Sequence, residues 1–177
     1  SFSLAPGEIA GVLGPNGAGK TTLFNLLTGF IPPDEGRVVF AGTVLRGRAP
    51  HRIAQMGTSR TFQLCRPFVG MSVLENAKVG GLAQAAPPQG REAHARELIA
   101  QVGLAGKENM PAEVLAYGDQ RRLEIARALA AAPKLLLLDE PFAGLGSGEI
   151  AELSALIRRI HAQTGVTVLL IEHKLHE

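Results

Sequence analysis

The sequence predicts an α/β fold with a mostly parallel sheet and an inserted helical subdomain, on the basis of three observations. Two apolar runs, Lys134–Leu138 and Val166–Ile171, are continuous rather than alternating, as in strands of a parallel sheet that is covered on both faces. Between them, Glu149–Thr164 carries apolar residues along one helical stripe, so the chain runs strand, helix, strand. Strand patterns are scarce between about residues 63 and 130, where helix patterns dominate.

The first part of the chain alternates strand and helix patterns. Glu8–Leu13 is a short apolar run that leads into a glycine-rich loop, and it predicts a buried strand. Thr21–Thr28 predicts a helix that ends at a glycine C-cap, Gly29. Pro32–Gly36 predicts a turn, and Arg37–Ala41 predicts a second strand.

The middle of the chain predicts three helices. Ser72 and Glu75 have the spacing of a capping box, which marks the start of the first helix. Gln84–Gly90 is rich in proline and glutamine and predicts a loop. Arg91–Val102 and Asp119–Ala132 predict the second and third helices.

Composition limits the classes of protein to which this chain can belong. Its 177 residues suit one domain, and 46% hydrophobic against 19% charged residues indicate a globular chain. The formal net charge of +2 is too small to indicate a nucleic-acid-binding face. No apolar run approaches the ~18 residues that cross a bilayer. Cys65, the single cysteine, cannot form an internal disulfide, which suits a reducing compartment; a structural thiol is favoured over a reactive one.

A glycine-rich segment after the first predicted strand matches G-x-x-x-x-G-K-[ST] and predicts a P-loop NTPase core. Glycines let backbone N–H groups turn toward phosphate oxygens, and the following helix directs its positive end at them. Lys20 can reach the β- and γ-phosphates, and the Thr21 hydroxyl can bind Mg²⁺. The alternative is a turn that only joins strand to helix. The predicted nucleotide-binding residues are Gly14, Pro15, Asn16, Gly17, Ala18, Gly19, Lys20, Thr21 and Thr22.

Two carboxylates follow the apolar run Leu135–Leu138. Ligands bind at the carboxyl ends of parallel strands in open α/β sheets, which is where Asp139 and Glu140 are expected. Asp139 suits a Mg²⁺ site, with water as the intermediary, and Glu140 suits orientation or deprotonation of the attacking water. The alternative is a pair of acids that simply end a strand at the surface.

These residues resemble the motifs of the ATP-binding subunits of ABC transporters. Gly14–Thr22 resembles their Walker A motif, and Leu135–Glu140 resembles their Walker B motif with its catalytic glutamate. Leu115–Arg121 is similar to the signature LSGGQ, which separates this family from other P-loop ATPases. Gln63 stands at the position of the Q-loop glutamine and His173 at that of the switch histidine. Alone, either residue would be an ordinary polar or structural one; the order and spacing of all five elements assign the roles.

The resemblance implies an ABC-type ATPase that binds ATP and Mg²⁺ and acts as a head-to-tail dimer, with two ATP molecules between the domains. The catalytic residues it implies are Glu140, His173 and Gln63. Its implied metal-site residues are Thr21, Gln63 and Asp139. The signature residues, which would contact the partner's ATP, are Ala116, Tyr117, Gly118, Asp119 and Gln120, with a helix that begins near Asp119.

The resemblance also implies an organisation and partners. Residues 1–62 and 131–177 would form the ATP-binding core, residues 63–130 the helical subdomain, and the whole a single domain truncated at both ends. Expected partners are a second ATP-binding domain, identical or paralogous, transmembrane permease subunits gripped by the helical subdomain, and indirectly an extracytoplasmic solute-binding protein. No nucleic-acid partner is expected. The implied location is peripheral, on the cytoplasmic face of the plasma (inner) membrane.

Within the family, four stretches resemble the ATPases for uptake of branched-chain amino acids: Ser59–Gln63, Leu115–Gly118, Arg121–Arg127 and Ala143–Leu145. Importers of urea and short amides, and lipopolysaccharide-export ATPases, share much of this pattern. A nucleic-acid ATPase of the same family and a P-loop module that only binds nucleotide are further alternatives. A nucleic-acid ATPase would be expected to have coiled-coil insertions or a basic face. A module that only binds nucleotide would be expected to lack the acid pair Asp139 and Glu140.

Three positions depart from the family pattern. Ala116 replaces the signature serine, which removes a hydroxyl donor. Gly146 stands where the D-loop usually has an aspartate. No aromatic residue precedes Phe2 in the chain, so the usual adenine-stacking residue before the Walker A motif is expected to lie outside it. Phe2 is a poor substitute, because it is expected to belong to the strand that leads into the loop.

Overall fold

The computed structural model describes residues 2–63, 66–82 and 88–173, and of residues 88 and 89 it describes the backbone. Cys65 and most of the predicted loop at 84–90 therefore lie outside the described residues. The strands are β1 Ile9–Leu13, β2 Val39–Phe40, β3 Thr43–Val44, β4 Thr58–Arg60, β5 Leu135–Asp139 and β6 Thr167–Glu172. The α-helices are α1 Lys20–Leu27, α2 Pro50–Gln55, α3 Val73–Gly80, α4 Pro88–Gln101, α5 Tyr117–Leu129 and α6 Ser147–Thr164.

Four strands form a parallel sheet in the order β1-β6-β5-β4, which confirms the predicted α/β fold. The two continuous apolar runs occupy its centre, as β5 and β6. The predicted strand Glu8–Leu13 is present as β1, but the prediction that it is buried is wrong, because β1 lies at the edge of the sheet and none of its residues is buried. Leu137 and Leu138 of β5 and Ile171 of β6 are fully buried, because helices cover both faces of the sheet. The central strands therefore hold their carboxyl ends in fixed positions relative to one another.

The predicted strand Arg37–Ala41 is wrong in extent. Only Val39–Phe40 is extended, and it pairs in antiparallel fashion with Thr43–Val44, outside the main sheet. The two residues between the strands, Ala41 and Gly42, have φ values of 48° and 77°, as in a tight hairpin turn of the I′ type. An alanine at such a position is uncommon, so the sequence does not signal this hairpin.

Helices α3, α4 and α5 pack together, as the helix-rich middle of the chain predicts. The capping box of α3 is confirmed: Ser72 Oγ accepts from the Glu75 N–H, and a Glu75 carboxylate oxygen accepts from the Ser72 N–H, which lowers the pKa of Glu75. Helix α3 approaches α5 closely at Gly80, where an added Cβ would lie 1.8 Å from the Arg127 carbonyl oxygen. Helix α4 begins at Pro88, three residues before the predicted start at Arg91, because proline suits the first position of a helix.

One cluster of buried apolar side chains joins the helical segment to the sheet. It includes Val73 of α3, Ile99 of α4, Leu123 of α5, Leu138 of β5 and Leu153 of α6. The helical segment therefore shares a core with the sheet, and the division at residues 63 and 130 stays a prediction. Within the described residues, no helix has the length and apolar character needed to cross a membrane.

Candidate active site

The glycine-rich loop and the acid pair lie at the same edge of the sheet. Strands β1 and β5 both pair with β6, in a register that sets Leu13 beside Glu172 and Asp139 beside Ile171. The Gly14 N–H donates to the Glu172 carbonyl at 3.3 Å, and the Glu140 N–H donates to the Ile171 carbonyl at 3.0 Å. Both segments are thus attached to the end of one strand, as ligand binding between them requires.

The loop turns on two glycines and leads directly into α1. Gly17 and Gly19 have φ values of 81° and 85°, and an added Cβ at either would meet no atom within 4 Å. Glycine is therefore needed there for its backbone angles rather than for space. Lys20, the first residue of α1, is 7% exposed, and its Nζ donates to the carbonyls of Gly14 and Pro15 at 2.6 and 3.1 Å. The ammonium is thereby held inside the curve of the loop.

The other predicted loop residues are open to solvent. Asn16 and Ala18 are exposed within the loop, and Thr21 and Thr22 are exposed in the first turn of α1. These side chains surround the positive end of the α1 dipole, which favours anions such as phosphate.

Asp139 is held by Arg60, which no motif in the sequence places in the site. Its carboxylate is 3% exposed and accepts from Arg60 Nη2 at 2.7 Å. Arg60 Nη1 donates to Asn25 of α1 at 2.7 Å, and the guanidinium lies 5.3 Å from the Phe24 ring and 5.2 Å from the Phe62 ring. Arg60 therefore ties the loop helix to the acid pair. The Ser59–Gln63 stretch resembles the family pattern, but nothing in it identifies Arg60 as this link.

Gln63 and Glu140 meet although 77 residues separate them. Gln63 Nε2 donates to Glu140 Oε2 at 2.9 Å, and both residues are accessible at the surface of the site. Glu140 has a φ of 47°, a strained left-handed conformation for a residue with a side chain. Strain of this kind is maintained only where surrounding contacts hold it, and it concentrates at functional sites.

A buried glutamate supports the end of the central strand. Glu172 is 4% exposed, and its carboxylate accepts from the Phe142 N–H at 3.0 Å and from the His173 N–H at 3.3 Å. His173, directly after β6, is exposed. Glu172 thus fixes the backbone on which His173 stands, a role that a single acid inside an apolar run did not signal.

The signature segment forms the first turn of α5. Ala116 is the N-cap residue and the helix begins at Tyr117, two residues before the predicted start near Asp119. The Gln120 amide donates to the Leu115 carbonyl at 3.0 Å, and Asp119 forms an ion pair with Lys107. These side-chain bonds hold the turn, and among the described residues no side chain caps its first N–H groups.

The second turn of α5 holds the segment that carries Gln63. Arg121 is 2% exposed, and its guanidinium donates to the carbonyls of Phe62 and Gln63 at 3.4 and 2.9 Å. Glu124 accepts from the Phe62 N–H at 2.8 Å and faces Arg121 at 3.4 Å. Burial raises the pKa of Glu124, although the Phe62 N–H and Arg121 act in the opposite direction. No motif in the sequence marks this pair as part of the site.

The donor set at the sheet edge fits Mg²⁺ better than a soft metal. The described residues contain no group of three His, Cys, Asp or Glu side chains that could hold a metal by themselves. Thr21, Gln63 and Asp139 offer a hydroxyl, an amide and a carboxylate, all oxygen donors. Mg²⁺ prefers oxygen ligands and takes several of them from phosphate and water, so few protein ligands suffice.

Comparison with known proteins gives one consistent result. Residues 1–143 match the family described as ABC transporter. The high-affinity branched-chain amino acid transport ATP-binding protein LivG of Escherichia coli K12 is 42% identical, across 99% of this chain and 74% of LivG. The ADP conformation of MJ1267, an ATP-binding cassette of an ABC transporter, superposes with a TM-score of 0.87 at 32% identity, covering 98% of this chain and 73% of that one. A dimeric post-hydrolysis state of the cassette MJ0796 with ADP and Pi gives a TM-score of 0.83 at 25% identity, covering 98% and 78%.

Proposed function

The chain belongs to the ATP-binding subunits of ABC transporters, and from this membership we propose that it powers an importer of branched-chain amino acids or similar small polar solutes. Its ATPase activity follows from the family. The observation that carries the assignment of the catalytic residues is the 2.9 Å contact between Gln63 and Glu140, at the sheet edge that also carries the glycine loop. That contact joins a candidate base to a residue able to orient water.

Nucleotide binding is assigned to the loop from Gly14 to Gly19 and the start of α1. Inward-facing N–H groups and the α1 dipole would bind the phosphates, and Lys20 would neutralise charge on the β- and γ-phosphates. The Thr21 hydroxyl, Asp139 and Gln63 would hold Mg²⁺, which when bound neutralises charge between the phosphates. Asp139 stays oriented because Arg60 holds one of its oxygens.

Hydrolysis is assigned to Glu140, with Gln63 and His173 beside it. Glu140 would accept a proton from the attacking water, and Gln63 would hold the carboxylate in position through its amide. His173 stands at the exposed end of the neighbouring strand, from which it would contact the γ-phosphate. The three side chains come from three different segments, so their arrangement responds to any movement between those segments.

A head-to-tail dimer would complete each ATP site. The first turn of α5, which carries the half-buried Gly118, would direct its N–H groups at the partner's γ-phosphate. The dimeric state of MJ0796 with ADP and Pi supports this arrangement for a cassette of the same fold. Hydrolysis would then reopen the dimer, a change between two states driven by one phosphate.

A groove beside the edge strand β4 suits a helix of a transmembrane permease subunit, although in the described part of the chain Gly80 is its one lining residue from the predicted helical subdomain, the segment expected to grip the permease. The groove measures about 830 Å³ and lies between α2, β4 and the end of α3 at Gly80. Phe30 and Phe62 both line it and are 57% and 50% exposed, so the groove presents two aromatic side chains to an occupant. Phe62 precedes Gln63, so an occupant of this groove would contact the backbone that carries a catalytic residue.

The remaining features follow from the importer assignment. Permease contact would place the chain peripherally at the cytoplasmic face of the inner membrane, with an extracytoplasmic solute-binding protein as an indirect partner. The similarity to LivG favours branched-chain amino acids over the other solutes of related importers.

Replacement of Glu140 by glutamine tests the proposed function. Glu140→Gln keeps the size of the side chain and an acceptor for Gln63, but it removes the base. We expect Mg-ATP turnover to fall by about 10²–10⁴, the usual contribution of general base catalysis, while ATP affinity stays the same. Steady-state phosphate release and calorimetry with Mg-ATP measure the two quantities.

Glu152→Gln is the matched control, because Glu152 lies on α6 and pairs with Arg122 at the protein surface. It should leave turnover unchanged. A Glu140→Gln protein that hydrolyses ATP at the rate of the parent would remove Glu140 from its proposed role.

A further inference from the structure

A closed ring of hydrogen bonds connects three segments of the site. Gln63 Nε2 donates to Glu140 Oε2, and the Gln63 carbonyl accepts from Arg121 Nη2, both at 2.9 Å. The same Nη2 donates to the Tyr117 hydroxyl at 2.8 Å, and that hydroxyl donates to the Ala143 carbonyl at 3.3 Å. The Ala143 N–H donates to the Glu140 carbonyl at 3.2 Å, which closes the ring.

Tyr117 occupies the position at which the LSGGQ pattern has its first glycine. The tyrosine side chain packs against Gly144, which has no side chain. A Cβ added at Gly144, where φ is 79°, would lie 3.1 Å from Tyr117 Cε1. The Arg121 guanidinium lies 5.2 Å from the centre of the tyrosine ring, so the ring and the hydroxyl both engage it. Tyr117 is therefore bound to the segment after the acid pair and, through Arg121, is linked to the segment that carries Gln63.

Arg121 is suited to this place by its shape. Its planar guanidinium reaches a hydroxyl and two backbone carbonyls at once, which a lysine ammonium on a flexible stem does not reproduce. Because the side chain is 2% exposed, its bonds are protected from competition by water. On the other side of the same segment, Glu124 accepts the Phe62 N–H, so the backbone is held from two directions.

We propose that Tyr117 and Arg121 are positioning residues that hold Gln63 against Glu140, so that the place of helix α5 controls hydrolysis of the ATP bound by the same subunit. This inference rests on the proposed function, since it assumes that Glu140 is the base. The signature turn thereby has two tasks: its N–H groups face the partner's nucleotide, and its tyrosine links that turn to the subunit's own site.

Tyr117→Phe is the direct test, because it keeps the ring, its contact at Gly144 and its stacking on Arg121, and removes only the two hydroxyl bonds. We expect kcat for Mg-ATP to fall about three- to tenfold, as for the loss of one or two hydrogen bonds in a positioned network, with KM unchanged. Arg121→Lys should lower kcat by at least as much. Arg122→Lys is the matched control on the next residue of α5, where the half-buried arginine bonds Glu152 and the Val102 carbonyl and makes no bond within the ring, and it should keep the parent rate.

The double variant Tyr117→Phe with Gln63→Ala shows whether Tyr117 acts through Gln63. Alanine keeps the backbone carbonyl that Arg121 binds but removes the amide that touches Glu140. We therefore expect Tyr117→Phe to cause no further loss of kcat in the Gln63→Ala background. Equal fractional losses in both backgrounds would overturn the inference.

Amide hydrogen exchange of the nucleotide-free chain provides a readout that does not depend on hydrolysis. Tyr117→Phe and Arg121→Lys should speed exchange at the Ala143 and Phe62 amides, whose partners belong to the ring or to its support. Exchange equal to that of the parent would show that the ring is not maintained in solution and would overturn the inference. A parent chain that binds but does not hydrolyse ATP would instead count against the proposed function.

Discussion

At the scale of single residues, the charged groups of the site are held by partners that leave part of each group available. Lys20 donates to two loop carbonyls, neutral partners that a phosphate can replace with a gain in charge complementarity. Asp139 is bound by Arg60 through one oxygen, and Glu140 by Gln63 through one oxygen. Each carboxylate therefore keeps a fixed direction and a second oxygen for other contacts.

Lys20→Ala tests the residue-scale assignment of the phosphate site. Removing the only side-chain cation in the loop should weaken Mg-ATP binding by at least about a hundredfold, the scale of losing one member of a buried charge pair. Calorimetric titration with Mg-ATP measures the change. Lys78→Ala, which removes a lysine that pairs with Glu92 on the helical segment, should bind as the parent does. Retained affinity in Lys20→Ala would place the phosphates elsewhere.

At the scale of elements, α5 connects functions that lie at different places. Its first turn carries the signature residues, and its second turn carries Arg121 and Glu124, which hold the segment of Phe62 and Gln63. That segment leaves β4, the edge strand, and borders the groove assigned to the permease. A movement of α5 and a partner bound in the groove would therefore act on the same stretch of backbone, Phe62–Gln63.

Ala54→Glu tests the groove as the permease surface. Ala54 is exposed on α2 and lines the groove, so the new charge should weaken permease recovery about tenfold, as for disruption of one contact of moderate strength. Pull-down of co-expressed transmembrane subunits with the tagged chain from detergent extract measures it. Ala151→Glu, the same substitution at an exposed alanine of α6, should recover the parent amount. Equal recovery from both variants would move the contact away from this groove.

At the scale of the whole molecule, the site is incomplete within one chain if the signature turn serves a partner. A chain of hydrogen bonds runs from Glu140 through Gln63 and Arg121 to Tyr117 of the signature turn. Helix α5, which carries that turn, and strand β5, which ends just before Glu140, also pack in one buried cluster. A displacement of the signature turn would therefore reach Glu140, because close packing tolerates few intermediate arrangements.

Gly118→Asp in the Glu140→Gln background tests the dimer. The new carboxylate would repel the partner's phosphates, and we expect the ATP-dependent dimer on a sizing column to disappear. An added Cβ at this position would lie 2.6 Å from Glu149 Oε1, the end of a side chain that also accepts the Gly146 N–H, so the monomer should fold with a modest loss of stability. A thermal melt checks that the variant is folded.

Gly118→Asn is the neutral control for the size of the new side chain. It should keep more of the dimer than aspartate, because it adds no charge. If Gly118→Asp forms the ATP-dependent dimer as readily as the parent, the signature turn does not contact the partner's nucleotide.

The sequence by itself determined the fold class and the types of side chain available to a nucleotide site. The runs that became β5 and β6 predict buried parallel strands, and the spacing of Gly14, Gly19 and Lys20 predicts a phosphate loop, because both are local patterns of the chain. The run Glu8–Leu13 has a similar pattern but forms an edge strand without a buried residue, because burial depends on neighbours that the run does not record. The family was likewise recognisable from motifs in order, and the comparisons confirm it. The roles of the individual site residues stay predictions.

Only the tertiary structure decided which side chains meet. Arg60 binds Asp139 across 79 residues, Gln63 meets Glu140 across 77, and Arg121 reaches Gln63 across 58. The hairpin at Ala41 and the support from Glu172 were hidden for a similar reason, since neither residue type is distinctive at its position. Such pairs depend on strand order and on the packing of α5, which arise from the summed burial of many side chains, and no local spacing records them.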